Sequence, residues 1–378
     1  MKEAKEEILT RAVNDDVILI KKYDDKDSHP RWYERPLMLT GVYLYSLFMS
    51  MVYTALAVCI VFSLKERYHT KESYGLMAAF AGYHAIFTIT ATVLLFLTQW
   101  YTYKDAFTLG LFLTTFALLL IVVAYTYHGP YNFSVGLTGA MGFLGLGDAL
   151  TSVTLGMILG DQYVDKRALV ISGLEMVKGA AMILGPFIFD SIAKAALPYL
   201  GFFFALLAVV LFGLGVLANW LIMRAIDGPK TGSDKAFLWS RTAMQDVFDM
   251  PVKFFLRNNA VLVEIAGCIS AGYTIAVVIS VTIGNRLEVI GLPQAHYWQA
   301  FAAMFGGYIF VACLHFLFNL NLDRRLVIIL CQPVLALSIM LTSGFQGEYD
   351  SLALTMVGLG ITGAFSAAII VPSPEKIL

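Results

Sequence analysis

Long apolar runs alternate with short polar breaks along most of this chain. A helix needs roughly 20 apolar residues to cross the hydrocarbon layer. By that measure the pattern predicts about ten spans. They lie near 36–64, 76–100, 107–127, 133–163, 168–195, 197–224, 258–287, 296–319, 326–345 and 349–371. Several runs exceed the minimum, which predicts tilted helices or ends that leave the lipid. The longest polar break, Asp227 to Met250, contains Gly228-Pro229 and Thr231-Gly232-Ser233 and separates six spans from four. The expected organisation is an N-terminal arm over 1–35, a six-helix bundle over 36–224, a linker over 225–257 and a shorter bundle over 258–378. The fold class is an all-α polytopic membrane protein.

Composition agrees with the pattern. The chain of 378 residues is 58% hydrophobic and 14% charged, with a mean hydropathy of +0.73. Soluble domains carry roughly 25% charged residues. A net charge of -1 offers no basic surface for nucleic acid. Cys59, Cys268, Cys313 and Cys331 all lie in apolar runs and read as small buried hydrophobes. Met1 to Arg35 holds no uninterrupted apolar stretch, so no secretory signal is expected there, and it has too many acids for an organellar transit peptide. Its apolar positions, Ile8, Leu9, Val13, Val17 and Ile20, leave two readings open: an amphipathic helix over about Lys2–Lys22, or a disordered tail.

Loop charges set the orientation. Lys2, Lys5, Arg11, Lys21, Lys22, Lys26, Arg31, Arg35, Lys166, Arg167, Arg224, Lys230, Lys235, Arg241, Lys253, Arg324 and Arg325 all fall on one side if the spans alternate. Lys65, Arg67, Lys71, Lys194 and Arg286 remain for the other. The positive-inside rule then puts the N-terminus and the linker on the cytosolic side, or the matrix side of an organelle.

Ionisable groups inside spans are costly and therefore candidates for function. Asp148 lies near the middle of span four and reads as a proton or cation site, or else as an acid paired within the bundle. Glu175 and Lys178 stand one helical turn apart in span five, a spacing that allows an ion pair. That pair reads as a proton-sensitive latch or as a structural link. Glu264, early in span seven, fits a vestibule or a snorkelling end charge. His84 and His315, in spans two and eight, are candidate proton relays or hydrogen-bonded packing residues. Asp161 and Asp190 read as solvated helix-end charges. Gly179, Gly185 and Pro186 give span five close neighbours and freedom to bend. No pattern of His, Cys or acid has metal-ligand spacing, and no cofactor or enzyme motif is present.

The stretch Ser172-Gly173-Leu174-Glu175, Gly179, Ile183-Leu184-Gly185-Pro186 resembles the fifth helix of the vesicular amine and polyamine transporter family, within the major facilitator superfamily. Gly145-Leu146-Gly147-Asp148-Ala149, with Thr151 and Thr154, is similar to that family's fourth helix. Val371-Pro372-Ser373-Pro374 looks like the exit of its tenth. There are departures. Phe189-Asp190 stands where a Gly-Gly pair is usual. The loop between spans two and three reads Trp100-Tyr101-Thr102-Tyr103-Lys104-Asp105 instead of the gate motif, of which Asp323-Arg324-Arg325 keeps a trace between spans eight and nine. Span one offers Tyr43, Tyr45, Ser46, Ser50, Tyr53 and Thr54 but no acid. The sequence stops after span ten, where the family plan has two more helices.

The resemblance implies a major facilitator-type fold in a vesicular or vacuolar membrane. It also implies proton-coupled transport of a small organic cation, with Asp148 and Glu175 carrying proton or substrate. The departures support a second expectation, a carrier-derived accessory subunit bound to other membrane subunits, for which a mitochondrial inner membrane serves equally well.

Overall fold

The computed structural model describes residues 34–66, 74–97, 102–127, 129–163, 166–196, 200–226, 259–281, 286–293, 296–318, 324–343 and 351–371. Ten long helices run through them: α1 (Glu34–Glu66), α2 (Tyr74–Leu97), α3 (Tyr103–Ala124), α4 (Pro130–Gln162), α5 (Arg167–Ala196), α6 (Leu200–Ile226), α7 (Asn259–Val281), α8 (Trp298–Phe318), α9 (Arg324–Ser343) and α10 (Leu352–Ile370). No strand occurs among the described residues. Eight of the helices are long and apolar enough to cross a membrane, and α2 adds a shorter apolar stretch, Ala78–Leu94. The expected helix over about Lys2–Lys22 and most of the 225–257 linker lie outside the described residues.

Helix ends differ from the hydropathy pattern where capping chemistry intervenes. Span three is expected from 107, yet α3 begins at Tyr103. Thr102 accepts the backbone N–H of Asp105 at 3.2 Å and donates to its carboxylate at 2.6 Å. This cap satisfies one of the backbone donors that a helix start leaves open, and the Asp105 carboxylate holds the Thr102 hydroxyl in place, so polar residues continue the helix beyond the apolar run. Span seven is expected to reach 287; α7 is described to Val281 and a short helical turn over Leu287–Val289, with residues 282–285 outside the described residues.

Two sets of neighbours emerge from the packing. In the first, α4 lies against α2 and α3, α1 against α5 and α6, and α3 against α6. In the second, α10 lies against α8 and α9, and α7 against α9 and α10. The sets meet along two seams, where α5 packs on α8 and α2 packs on α7. Large apolar side chains cover the outside. Phe202 is 74% exposed, Val209 68% and Phe310 64%, which is favourable against lipid or another apolar surface and not against water. Once helices are in lipid, apolar burial no longer drives their association; close contact and interhelical hydrogen bonds do.

Candidate functional site

The glycines before Asp148 determine what it meets. A Cβ on Gly147 would stand 2.7 Å from the backbone nitrogen of Thr114 and 2.8 Å from the carbonyl oxygen of Gly110, so α4 presses against α3 backbone to backbone. A Cβ on Gly145 would collide with the carbonyl of Tyr83, so α4 presses equally on α2. This approach brings Asp148 to Tyr83, whose hydroxyl donates to Asp148 Oδ2. Ser152, one turn further along α4, donates to Oδ1 at 2.9 Å. Asp148 thus accepts two hydrogen bonds from uncharged donors while keeping part of its surface accessible.

A second centre lies on α5. Lys178 Nζ donates to Glu175 Oε1 at 2.8 Å, and Tyr308 of α8 donates to Oε2 at 2.7 Å. Both carboxylate oxygens of Glu175 are therefore engaged, one within α5 and one across the seam. The side chains of Lys178 and Glu175 remain 26% and 13% exposed. Lys178 also lies within electrostatic range of Asp148, which couples the two centres. Close approach again explains the contact: a Cβ on Gly179 would stand 2.7 Å from Ile309 Cγ1 and 3.3 Å from Tyr308 Cδ1. On another face of α5, a Cβ on Gly185 would press on the Met51 carbonyl and the Thr54 hydroxyl of α1. Pro186 lies inside α5, where it removes one backbone donor from the helix ladder.

An aromatic group borders Asp148. His84 Nε2 and the Tyr53 hydroxyl are 2.8 Å apart. The Tyr53 and Tyr83 rings are centred 5.0 Å apart, and Tyr83 and His84 4.9 Å. Tyr273 of α7 meets the His84 ring at 5.8 Å, so this group also crosses a seam. Among the described residues, no three His, Cys, Asp or Glu side chains converge as a metal site.

The structure thus brings Asp148, Glu175, Lys178 and His84 into one region at the junction of the helix sets, with Gly179 and Gly185 at its helix contacts. Glu264 falls on α7, but its side chain lies outside the described residues, as do those of Asp161 and Asp190. Tyr83, Ser152, Tyr273 and Tyr308 are members of the site that sequence reasoning missed. A usable signal existed for the tyrosines, since a phenol inside an apolar helix seeks a hydrogen-bond partner.

No family model matches the sequence, and no curated protein matches it significantly. Solved structures do resemble the fold. One is a bacterial homologue of the human drug peptide transporters PepT1 and PepT2, at 12% identity and a TM-score of 0.55, covering 90% of this chain and 87% of that one. Tetrameric PepTSo2 in two space groups gives TM-scores of 0.54 and 0.57 at 12% and 11% identity. Those matches cover 90% of this chain and 88% and 87% of the others. At such identity the likeness speaks for architecture: this chain is a multi-pass integral membrane protein with the major facilitator-type fold.

Proposed function

We propose that this protein is a secondary carrier of small organic solutes, moving a cation of the amine or polyamine class in exchange for a proton or small ion. The observation that supports the reading best is the joint position of Asp148 and the Glu175–Lys178 pair, where α2 meets α7 and α5 meets α8. Two carboxylates face one ammonium there, and Tyr53, Tyr83 and Tyr273 supply aromatic faces that favour organic cations. In the mechanism, residues 36–224 and 258–378 rock as two bodies about this region. The Tyr308–Glu175 bond and the His84–Tyr273 contact cross the seams, so rocking must break and remake them. The basic loops favour an N-terminus on the cytosolic or matrix side.

The test is uptake into proteoliposomes under a pH gradient, comparing radiolabelled spermidine with a dipeptide. Spermidine uptake that disappears in Asp148→Asn is the expected result. Uptake of the dipeptide alone would replace the substrate class, and uptake of neither would overturn the carrier reading.

A second reading is a non-transporting accessory subunit of a larger membrane complex. One observation favours it: the Lys178–Glu175–Tyr308 chain ties α5 to α8 through hydrogen bonds among the protein's own side chains, as a structural clasp would. Native mass in mild detergent, with co-migrating proteins identified, separates the two. A monomer or homodimer supports the carrier, and stable co-migration with a large assembly supports the subunit.

A further inference from the structure

The two carboxylates of the site reach the second set of helices by different routes. Glu175 is bonded straight across its seam by Tyr308. The donors to Asp148 both belong to the first set: Tyr83 lies on α2 and Ser152 on α4. Tyr83 leads further. Its ring is centred 4.9 Å from that of His84, and His84 is centred 5.8 Å from Tyr273 of α7. One hydrogen bond and two ring contacts therefore connect the Asp148 carboxylate to α7.

The surroundings leave this route little slack. A Cβ on Gly145 would stand 3.2 Å from Tyr83 Cα, so the Tyr83 backbone is held against α4. The Tyr83 ring is 5% exposed, with Tyr53 centred 5.0 Å away and Phe87 stacked at 6.1 Å. The Tyr53 hydroxyl pairs with His84 Nε2 at 2.8 Å, and Phe80 braces the Tyr53 ring edge-on at 5.3 Å. A turn of the Tyr83 ring is therefore passed to His84, which Tyr53 holds and whose ring meets Tyr273. Tyr273 in turn moves with its own set. Ser270 of α7 donates to Gln332 of α9 at 2.9 Å, and a Cβ on Gly267 would stand 2.9 Å from Ile328 Cγ2.

We propose that Tyr83 is a positioning residue that couples cation occupancy of Asp148 to the α2–α7 seam. The proposal rests on the carrier reading for the cation it responds to. An ammonium needs carboxylate lone pairs, and the Tyr83 hydroxyl occupies Oδ2. That phenol is shielded from water, so on losing its bond it must swing to another partner. With the backbone fixed, the swing is a ring rotation, and the rotation displaces His84 from Tyr273. Occupancy of Asp148 thereby loosens one seam, while Glu175 and Tyr308 keep their own link at the other until rocking breaks it. Ser152 answers the same cation by giving up a bond within α4, with no consequence across the seam.

The test replaces Tyr273 with a fluorinated tyrosine in the full chain, held in lipid nanodiscs. Its fluorine NMR signal is followed during spermidine titration, with binding of radiolabelled spermidine measured in parallel. In the otherwise wild-type chain the signal should move as binding saturates. Tyr83→Phe keeps the ring and removes the hydroxyl. It should bind spermidine roughly two- to tenfold more tightly, because one competing donor is gone, yet leave the signal fixed. Ser152→Ala removes a bond of the same kind, so it should tighten binding similarly and keep the signal moving. In proteoliposomes Tyr83→Phe should lower Vmax while KM falls with the dissociation constant. A loss of packing alone would not separate binding from the signal in this way. A moving signal in Tyr83→Phe overturns the proposal. So does a fixed signal in the wild type despite binding, or in Ser152→Ala, even if Tyr83→Phe does not fold. No spermidine binding to wild type overturns the coupling together with the carrier reading for this substrate class. Uptake with a fixed signal removes the coupling and keeps the carrier. Binding and a moving signal without uptake keep the coupling and remove the carrier.

Discussion

Helices α1–α6 and α7–α10 solve the same packing problem with different polar chemistry. The first set carries partly buried ionisable groups: Asp148, Glu175, Lys178 and His84 all belong to it. The second set carries His315 on α8, and the polar contacts among its described side chains join hydroxyls and an amide. Ser338 and Thr362 lie 2.8 Å apart, and Ser270 donates to Gln332 at 2.9 Å. What the second set offers the first is neutral, the hydroxyl of Tyr308 and the ring of Tyr273. A seam between charge and phenol can open without stranding an ion on both sides, whereas a seam between two charges cannot. The helix order differs as well. The leading helix α1 leans on α5 and α6 and makes slight contact with α2 and α4, while α7, leading the other set, leans on α9 and α10.

The most drastic way to break the comparison is to separate the helices of the second set. A Cβ on Gly363 would run into the backbone carbonyl of Met304, so Gly363→Leu should force α8 and α10 apart. Loss of the monodisperse peak in fluorescence size exclusion is expected. Gly139→Ala in the first set meets nothing within 4 Å and should leave the peak unchanged.

Next comes the charge asymmetry itself. Asp148→Asn keeps an acceptor for Tyr83 and removes the charge, so the fold should persist while spermidine uptake falls at least about tenfold, or ~1.4 kcal/mol in transition-state terms. Equal uptake by the variant would place the functional charge elsewhere.

A double-mutant cycle of Glu175→Gln and Tyr308→Phe addresses the seam. Hydrogen bonds to charged groups contribute about 1.5–3 kcal/mol in soluble proteins and less in membranes, so a coupling of about 1 kcal/mol is expected from equilibrium unfolding in detergent. A coupling near zero would mean that α5 and α8 are held together by shape alone. The smallest effect belongs to Ser338→Ala, which removes one neutral hydroxyl contact with Thr362. About 0.6 kcal/mol of stability and no change in uptake are expected.

Local features were legible in advance. Apolar run length located ten helices, because crossing lipid imposes a length and demands internal backbone hydrogen bonds. The Glu175–Lys178 contact was equally readable, since i and i+3 share a helix face. The start of α3 was not, because Thr102 and Asp105 extend the helix through polar residues that hydropathy assigns to a loop. The partners of the central groups were out of reach. Tyr83 is 65 residues from Asp148, and Tyr308 is 133 from Glu175. Nothing in local periodicity couples such distant positions.

The sequence by itself therefore determined that this chain lives in a membrane as long helices, and which of those helices carry charge. Both properties follow from apolarity and hydrogen bonding within single segments. Only the tertiary structure decided that Asp148 meets Tyr83 and that Glu175 reaches across to Tyr308. Those pairings depend on which helices approach within backbone contact. Glycines such as Gly145, Gly147 and Gly179 permit that approach without naming the helix that makes it.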